Sequence, residues 1–439
     1  MQRKQTVYIA MSADLIHSGH IKVIEEGVKY GDVIVGILTD EAIATYKRLP
    51  LLNFEARKKV IENIKGVRET VEQSTLDYTE NLRKLKPQYV LHGDDWKHGV
   101  QSLVREKVIR TLEEWDGELI EIPYTKNLVG PDLAAAYKEL ENTADHRRSK
   151  LKRLLKLKPY VRVLEASNGL AGLIVENTKI EDVKTSTIKE FDAMWVSSLC
   201  DSTFKGKPDI ELVDWTSRIN TINEIIEVTT KSIIVDGDTG GKIEHFVYTV
   251  KTLERLGVSA IIIEDKRGLK KNSLFGTEVH QELEEPGAFA EKILAGKHGQ
   301  ISRDFMIFAR LESLIAGNDV NDALMRAHVY IEQGGADGIM IHSKEEHGED
   351  IVEFLTRFRE YSNEIPVIVV PTTYNHFTEE KLNDAGASIV IYANHLLRSA
   401  YPAMIKTAKS ILEHGRTMEA DEALCCPLKE ILTLIPGGK

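Results

Sequence analysis

The feature that most constrains the fold is a repeat of short apolar runs between residues 162 and 391. Each run is followed by polar residues and then by a stretch with helical spacing, a pattern typical of parallel strands buried on both faces. About eight such runs are present, at 162–164, 193–196, 233–235, 260–263, 306–309, 338–341, 367–370 and 388–391. Eight strands that alternate with helices predict a (β/α)8 barrel.

The first third of the chain has a shorter version of this alternation. Strand-like runs lie at 7–10, 32–38, 89–92 and 119–122, and helical spacing lies at 21–30 and 54–64. This order predicts a small doubly wound, Rossmann-like α/β domain. We therefore divide the 439 residues into an N-terminal domain (1–132), a helical linker (133–158) and a barrel domain (159–439).

The end of the linker, residues 147–158, is basic and has leucines at helical spacing. Such a segment either attracts an anionic substrate or membrane surface, or forms a solvated helix whose leucines pack on a domain. We favour the second interpretation, because it is the commoner use of an amphipathic basic helix.

Composition excludes several classes of protein. The net charge of −11 gives no support to a nucleic-acid partner. No apolar run has the length of a membrane span or a signal-peptide core, so we expect neither. Cys200, Cys425 and Cys426 cannot all pair within one chain and lack metal-site spacing, which favours a reducing cytoplasm.

Polar residues follow the predicted barrel strands in turn, at the ends where barrel enzymes place their active sites. The candidates are Trp195, Ser197, Ser198, Leu199, Asp236, Asp238, Glu264, Arg310, His342 and Thr372. Asp236 and Asp238 can leave their strand on the same side, and with Glu264 they form an oxygen-donor set suited to Mg²⁺. Arg310 offers a planar fork for phosphate or carboxylate, and His342 and Asn272 are candidates to hold a phosphoryl group.

The stretch from Glu264 to Ser273 (EDKRGLKKNS) resembles the phosphoenolpyruvate mutase family, whose members move a phosphoryl group from oxygen to carbon. The resemblance covers about residues 158–434. It implies Mg²⁺ anchored by Asp209, Asp236, Asp238 and Glu264, an enolate cradle of Ser197, Ser198 and Leu199 after Trp195, a gating loop with Lys270, Asn272 and Ser273, and phosphoryl binding by Arg310 and His342. Ser198 stands where the family has glycine.

Two related classes of enzyme remain as alternatives for the barrel. Isocitrate-lyase-type enzymes use a cysteine in a K-[KR]-C-G-H motif, which this chain lacks. Phosphonopyruvate hydrolases share the metal site but differ in the gating loop. Lys270 and the pair Asn272-Ser273 favour the mutase.

The pattern His17-x-x-His20 lies between the first predicted strand and helix, where backbone N–H groups attract phosphates. With 13–20, 31–32, 54–58 and 92–96 it resembles the cytidylyltransferase family, glycerol-3-phosphate cytidylyltransferase being the nearest familiar pattern. The resemblance implies that His17, His20, Lys47 and Arg57 hold the triphosphate, that Asp94 lies in the nucleotide pocket, and that Ser12 and Asp14 belong to the same nucleotide-binding set. Residues 11–14 (MSAD) replace the family's GTFD, and 124–131 (YTKNLVGP) replace its RTxGIST segment.

Together the two resemblances imply a bifunctional enzyme of fosfomycin-type phosphonate biosynthesis. The barrel would convert phosphoenolpyruvate to phosphonopyruvate, and the N-terminal domain would transfer CMP from CTP to 2-hydroxyethylphosphonate. The alternatives are 2-aminoethylphosphonate as acceptor, an N-terminal module that binds nucleotide without catalysis, and a barrel that hydrolyses phosphonopyruvate. We also expect a homo-oligomer formed through the barrel domain.

Overall fold

The computed structural model describes residues 5–46, 49–123, 139–268, 270–278 and 280–435. The strands are β1 Thr6–Met11, β2 Asp32–Leu38, β3 Val67–Gln73, β4 Tyr89–Gly93, β5 Glu118–Ile122, β6 Val161–Glu165, β7 Lys179–Asp182, β8 Thr187–Glu190, β9 Ala193–Val196, β10 Ser232–Asp236, β11 Ala260–Glu264, β12 Met306–Leu311, β13 Gly338–Ile341, β14 Val367–Val369 and β15 Ile389–Tyr392. The helices are α1 Ser18–Tyr30, α2 Asp40–Ala44, α3 Phe54–Glu62, α4 Thr79–Leu85, α5 Ser102–Leu112, α6 Ala144–Leu157, α7 Gly169–Asn177, α8 Ser198–Phe204, α9 Trp215–Ile226, α10 Ile243–Leu256, α11 Pro286–Gly299, α12 Val320–Glu332, α13 Glu349–Tyr361, α14 Glu379–Ala385, α15 His395–His414, α16 Met418–Ala423 and α17 Leu428–Leu434.

The N-terminal domain is a parallel five-stranded sheet in the order β3-β2-β1-β4-β5, which confirms the predicted Rossmann-like architecture. The strand order reverses direction between β1 and β4, so ligands are expected at the carboxyl ends of these two strands. The sequence did not indicate β3, because this edge strand is largely polar and exposed (VRETVEQ).

Eight parallel strands close the predicted barrel in the order β10-β11-β12-β13-β14-β15-β6-β9. Side chains that alternate along the strands fill the interior, among them Trp195, Ile262 and Phe308, and the opposite faces pack on the surrounding helices. An antiparallel hairpin, β7–β8, is an addition that the sequence did not indicate.

Helix α6, the basic linker helix, closes the barrel at the amino ends of its strands. Leu151 and Leu154 are buried in the cluster that fills the barrel interior, as the second interpretation of the linker expected. Ala44 and Leu49 of the N-terminal domain join the same cluster. The N-terminal domain therefore packs at the floor of the barrel, away from the carboxyl ends of the strands.

The last three helices, α15 to α17, form a C-terminal segment that begins at His395. Helix α15 buries none of its twenty residues. Tyr401, Met404 and Leu412 on this helix are exposed. No helix in the described ranges combines the length and apolar character needed to span a bilayer.

Candidate active sites in the two domains

A pocket lies at the carboxyl ends of the barrel strands. Most of the predicted residues line it: Trp195, Ser197, Leu199, Asp209, Asp236, Lys270, Asn272, Ser273, Arg310, His342 and Thr372. Ser198, Asp238 and Glu264 are buried among them. The sequence did not indicate the remaining lining residues, Met340, Val370, Ala393 and Asn394.

The ammonium group of Lys270 lies among the predicted metal-binding carboxylates. Its Nζ is 2.8 Å from Asp238 Oδ1, 3.2 Å from Asp236 Oδ2 and 3.6 Å from Asp209 Oδ1. Asn272 of the same loop donates to Asp209 Oδ2 at 3.0 Å. The loop that carries Lys270 and Asn272 is therefore closed over the site.

The charges in this cluster compensate one another. Burial would raise the pKa of Asp236, but the positive charges of Lys270, Arg310 and Arg218 outweigh it and lower that pKa. Burial would lower the pKa of Lys270, but Asp236, Asp238 and Glu264 raise it well above its ordinary value. Both groups are therefore charged at neutral pH.

Asp238 has an unusual backbone conformation and is held by a neighbouring arginine. Its φ is 50°, a left-handed conformation that aspartate tolerates better than most residues. Arg218, which the sequence did not indicate, donates to Asp238 Oδ2 at 2.7 Å and also to the backbone carbonyl of Asp236. Arg218 thus fixes the carboxylate of Asp238 and the backbone of Asp236.

The predicted metal ligands Asp236, Asp238 and Glu264 are not preformed as a metal centre. Within the described ranges no group of three or more His, Cys, Asp or Glu side chains is arranged to hold a metal ion. The ammonium group of Lys270 lies within 3.2 Å of both Asp236 and Asp238. The donor set nevertheless fits Mg²⁺. Both carboxylate oxygens of Glu264 are buried without a hydrogen bond, and burial raises its pKa to about 7.

Arg310 supplies positive charge beside the carboxylates, with its Nη1 3.6 Å from Glu264 Oε2. Arg310 Nη2 donates to Ser273 Oγ at 2.8 Å, and Arg310 Nε donates to Glu312 Oε1 at 2.5 Å. Glu312 Oε2 also accepts from Ser273 Oγ at 2.6 Å and lies 3.0 Å from Lys266 Nζ. Glu312 and Lys266, which the sequence analysis missed, therefore join the arginine to the gating loop.

His342 is neutral in this site. Burial and the charge of Arg310 lower its pKa to about 3. Its Nδ1 is buried without a hydrogen bond and lies 3.9 Å from Glu312 Oε1. A neutral imidazole beside Arg310 can donate a hydrogen bond to an anionic ligand without first taking up a proton.

The histidine pair of the N-terminal domain caps α1. Gly19 N donates to His17 Nδ1 at 3.1 Å, and His17 N donates to His20 Nδ1 at 3.4 Å. A Cβ on Gly19 would lie 2.8 Å from the His17 ring, which explains why a glycine stands inside the motif. Both rings are partly exposed at the helix N-terminus, where phosphate binding is favoured.

The second segment predicted to bind nucleotide follows β4, beside β1 in the sheet. His92 stacks on Trp96 with ring centroids 3.7 Å apart. Asp94 begins the short 3-10 helix, Asp94–Lys97, that carries Trp96. The switch point of the sheet therefore brings His17, His20 and Asp94 to the same edge.

The remaining predicted nucleotide-binding residues are placed differently. Arg57 is fully buried and donates to the carbonyls of Ser12, Leu38 and Leu52 and to Asp40. In this structure it therefore ties the β1–α1 loop, through Ser12, to the segments that contain Leu38 and Leu52. Its contact with phosphate stays a prediction. Asp14 accepts the N–H groups of residues 51 and 52. Lys47 and the segment 124–131 lie outside the described residues.

Two family models match the chain. The phosphoenolpyruvate phosphomutase model matches residues 151–412, and the cytidylyltransferase-like model matches residues 12–191. The matches overlap from residue 151 to 191. Within this overlap, β6 (161–165) belongs to the closed barrel, whereas β7 and β8 form a separate two-stranded sheet.

Individual relatives agree with the first model. The phosphoenolpyruvate phosphomutase of Tetrahymena pyriformis is 33% identical over 287 residues, covering 65% of this chain and 90% of that protein. The crystal structure of phosphoenolpyruvate phosphomutase from Streptomyces platensis subsp. rosaceus gives a TM-score of 0.59 at 33% identity, covering 65% of this chain and 94% of that one. A phosphonopyruvate hydrolase structure with oxalate and Mg²⁺ gives a TM-score of 0.55 at 28% identity, covering 67% and 94%. With a family model matched over more than half of its length, the chain belongs to the phosphoenolpyruvate phosphomutase family and carries a cytidylyltransferase-like domain at its N-terminal end.

Proposed function

We propose that the barrel isomerises phosphoenolpyruvate to 3-phosphonopyruvate. The observation that carries this proposal is one pocket lined both by the carboxylates of Asp209 and Asp236 and by Arg310 and His342. Asp236, Asp238 and Glu264 would hold Mg²⁺, which when bound would stabilise negative charge on the pyruvyl oxygens. The mutase relatives and the Mg²⁺-containing hydrolase structure support this assignment.

In the proposed reaction the P–O bond of the substrate breaks and a P–C3 bond forms, with no net gain or loss of a proton. Arg310 and the neutral His342 would bind the phosphoryl group while it is bonded to neither atom, and the backbone of residues 197–199 would hold the enolate oxygen. Lys270 and Asn272 keep the loop closed, so water has little access to the phosphoryl group.

The test is ³¹P NMR of the full-length protein with phosphonopyruvate and Mg²⁺. Appearance of phosphoenolpyruvate is expected. Inorganic phosphate without phosphoenolpyruvate would sink the mutase proposal and favour the hydrolase alternative.

For the N-terminal domain we propose transfer of CMP from CTP to a phosphonate, with 2-hydroxyethylphosphonate as first choice and 2-aminoethylphosphonate as second. The histidine pair at the helix N-terminus and the cytidylyltransferase-like match support it. Pyrophosphate release with CTP, Mg²⁺ and a panel of phosphonates is the test, and release with one of them would identify the acceptor. CTP binding without release across the panel, in protein whose barrel is active, would instead support a non-catalytic nucleotide module.

We also propose self-association through the barrel domain, in the reducing cytoplasm. Helix α15 has exposed apolar residues, and so does α7, where Leu170 and Ile174 are exposed. These surfaces support an arrangement in which α15 of each copy packs on the barrel of the other copy. The three cysteines are free, which suits a reducing compartment. Sedimentation velocity of the full chain should give an oligomer that Leu412→Glu weakens; a monomer at micromolar concentration would contradict the proposal.

A further inference from the structure

Residues 44–46 and 49–50 lie between the two domains. Ala44 and Leu49 are buried against Leu151 and Leu154 of α6. Ile188 N, in strand β8 of the barrel domain, donates to the carbonyl of Thr45 at 3.0 Å. The barrel domain and its linker helix thus contact Ala44, Thr45 and Leu49.

Two hydrogen bonds hold one peptide unit of this region from opposite sides. Arg153 Nη2 of α6 donates to the carbonyl of Pro50 at 2.5 Å. The N–H of Leu51, which belongs to the same peptide plane, donates to Asp14 Oδ2 at 3.0 Å. Because a peptide unit is planar and rigid, the position of its carbonyl fixes the direction of its N–H.

Asp14 depends on this peptide for its orientation. Its second oxygen, Oδ1, accepts from Leu52 N at 3.0 Å, so both oxygens are bound to the segment that Arg153 holds. Asp14 also precedes the histidine pair by only a few residues and lies near enough to His146 of α6 for its charge to act on that ring. The linker helix therefore runs beside the loop that carries the nucleotide site.

We propose that Arg153, a residue of the linker helix on the barrel side, is a positioning residue for the nucleotide site of the N-terminal domain. It holds the Pro50–Leu51 peptide so that Asp14 keeps the β1–α1 loop in its binding conformation. This inference rests on the proposed CTP-dependent function. Its consequence is that the N-terminal site is complete only when α6 is docked.

The test compares Arg153→Ala with Lys152→Ala in the full-length protein. Lys152 lies on the same helix and also donates one hydrogen bond to a backbone carbonyl, but that carbonyl belongs to Arg303 of the barrel. Two quantities are measured: hydrogen exchange of the peptide covering 45–56, and the Kd for CTP by isothermal titration calorimetry.

In Arg153→Ala we expect faster exchange at residues 51 and 52 and a Kd for CTP raised about tenfold, since a charged hydrogen bond is lost. The kcat of nucleotidyl transfer at saturating CTP and the mutase rate should stay within about twofold, a split that general destabilisation would not give. Lys152→Ala should match the wild type in all of these.

Unchanged exchange at 51 and 52, or faster exchange with unchanged CTP affinity, would overturn the inference. Equal effects of both variants would also overturn it, because they would reflect docking of α6 in general. Failure of the wild-type protein to bind CTP is a different outcome: it would overturn the proposed nucleotide function and, with it, this role of Arg153.

Discussion

Charged side chains at the mouth of the barrel are buried and paired with one another, whereas the histidines of the N-terminal site are partly exposed and bind backbone atoms. In the barrel, Lys270 is only 4% exposed and lies between carboxylates. In the N-terminal domain, His17 and His20 close a capping box at the start of α1. Removing one charge from the barrel leaves its partners uncompensated, while removing His17 takes a helix cap away from the fold.

The largest expected effect is that of Asp238→Ala, which tests whether the two sites are separate. The mutase rate should fall about 10³-fold or more, because a metal anchor and the partner of Arg218 are lost together. Pyrophosphate release from CTP should be unchanged. Asp238→Asn, which tolerates the left-handed backbone, controls for misfolding. Loss of both activities in a folded Asn variant would refute the separation.

Substitution of His17 tests the other side of the comparison. His17→Asn keeps a good capping side chain but removes the imidazole. We expect nucleotidyl transfer to fall about 10²-fold or more, with the mutase rate and the melting temperature close to wild type. His17→Ala should lose the same activity and also some stability. If His17→Asn transfers CMP at the normal rate, the role of His17 is limited to capping the helix.

Lys270→Ala tests whether the ammonium group of Lys270 compensates the charges of Asp236 and Asp238 in the barrel site. Removal of the ammonium group frees Asp236 and Asp238, so calorimetry should give an affinity for Mg²⁺ about tenfold higher in the absence of substrate. Mutase activity should be lost, since the loop residue is missing. Lys271→Ala is the control, because Lys271 is exposed and donates to His280. An unchanged or weaker Mg²⁺ affinity in Lys270→Ala would show that the ammonium does not compete with the metal.

The smallest expected effect concerns Glu165, a buried carboxylate at the end of β6 whose Oε1 accepts from Leu397 N at 2.7 Å. Burial raises its pKa from 4.5 to about 7, although backbone N–H groups of 395–397 oppose the shift. The folded state therefore holds the proton more tightly, and this contribution to stability is present below pH 4.5 and lost as the pH rises through 7. The difference is at most about 3 kcal/mol. Glu165→Gln should gain melting temperature over the wild type at pH 8 but not at pH 5; a difference independent of pH would contradict the assignment.

Local sequence predicted the elements and many of the site residues, because apolar strands followed by polar residues have one arrangement in a parallel barrel. Asp236, Arg310 and His342 were identified in this way, and the barrel brings them together. Arg218, Lys266 and Glu312 were not identified, because their roles depend on contacts between distant segments, such as Arg218 with Asp238. The same reason explains why Arg57, which the family motif suggested as a phosphate ligand, lies buried among carbonyls.

The closed floor of the barrel has a consequence for metabolite traffic. Leu151 and Leu154 seal the end nearest the N-terminal domain, and side chains such as Trp195 and Phe308 occupy the axis above them. A molecule released at the open end has no route along the barrel axis to the histidine pair. Fusion of the two domains therefore fixes their copy number at one to one, while the two candidate sites open on different sides of the barrel floor.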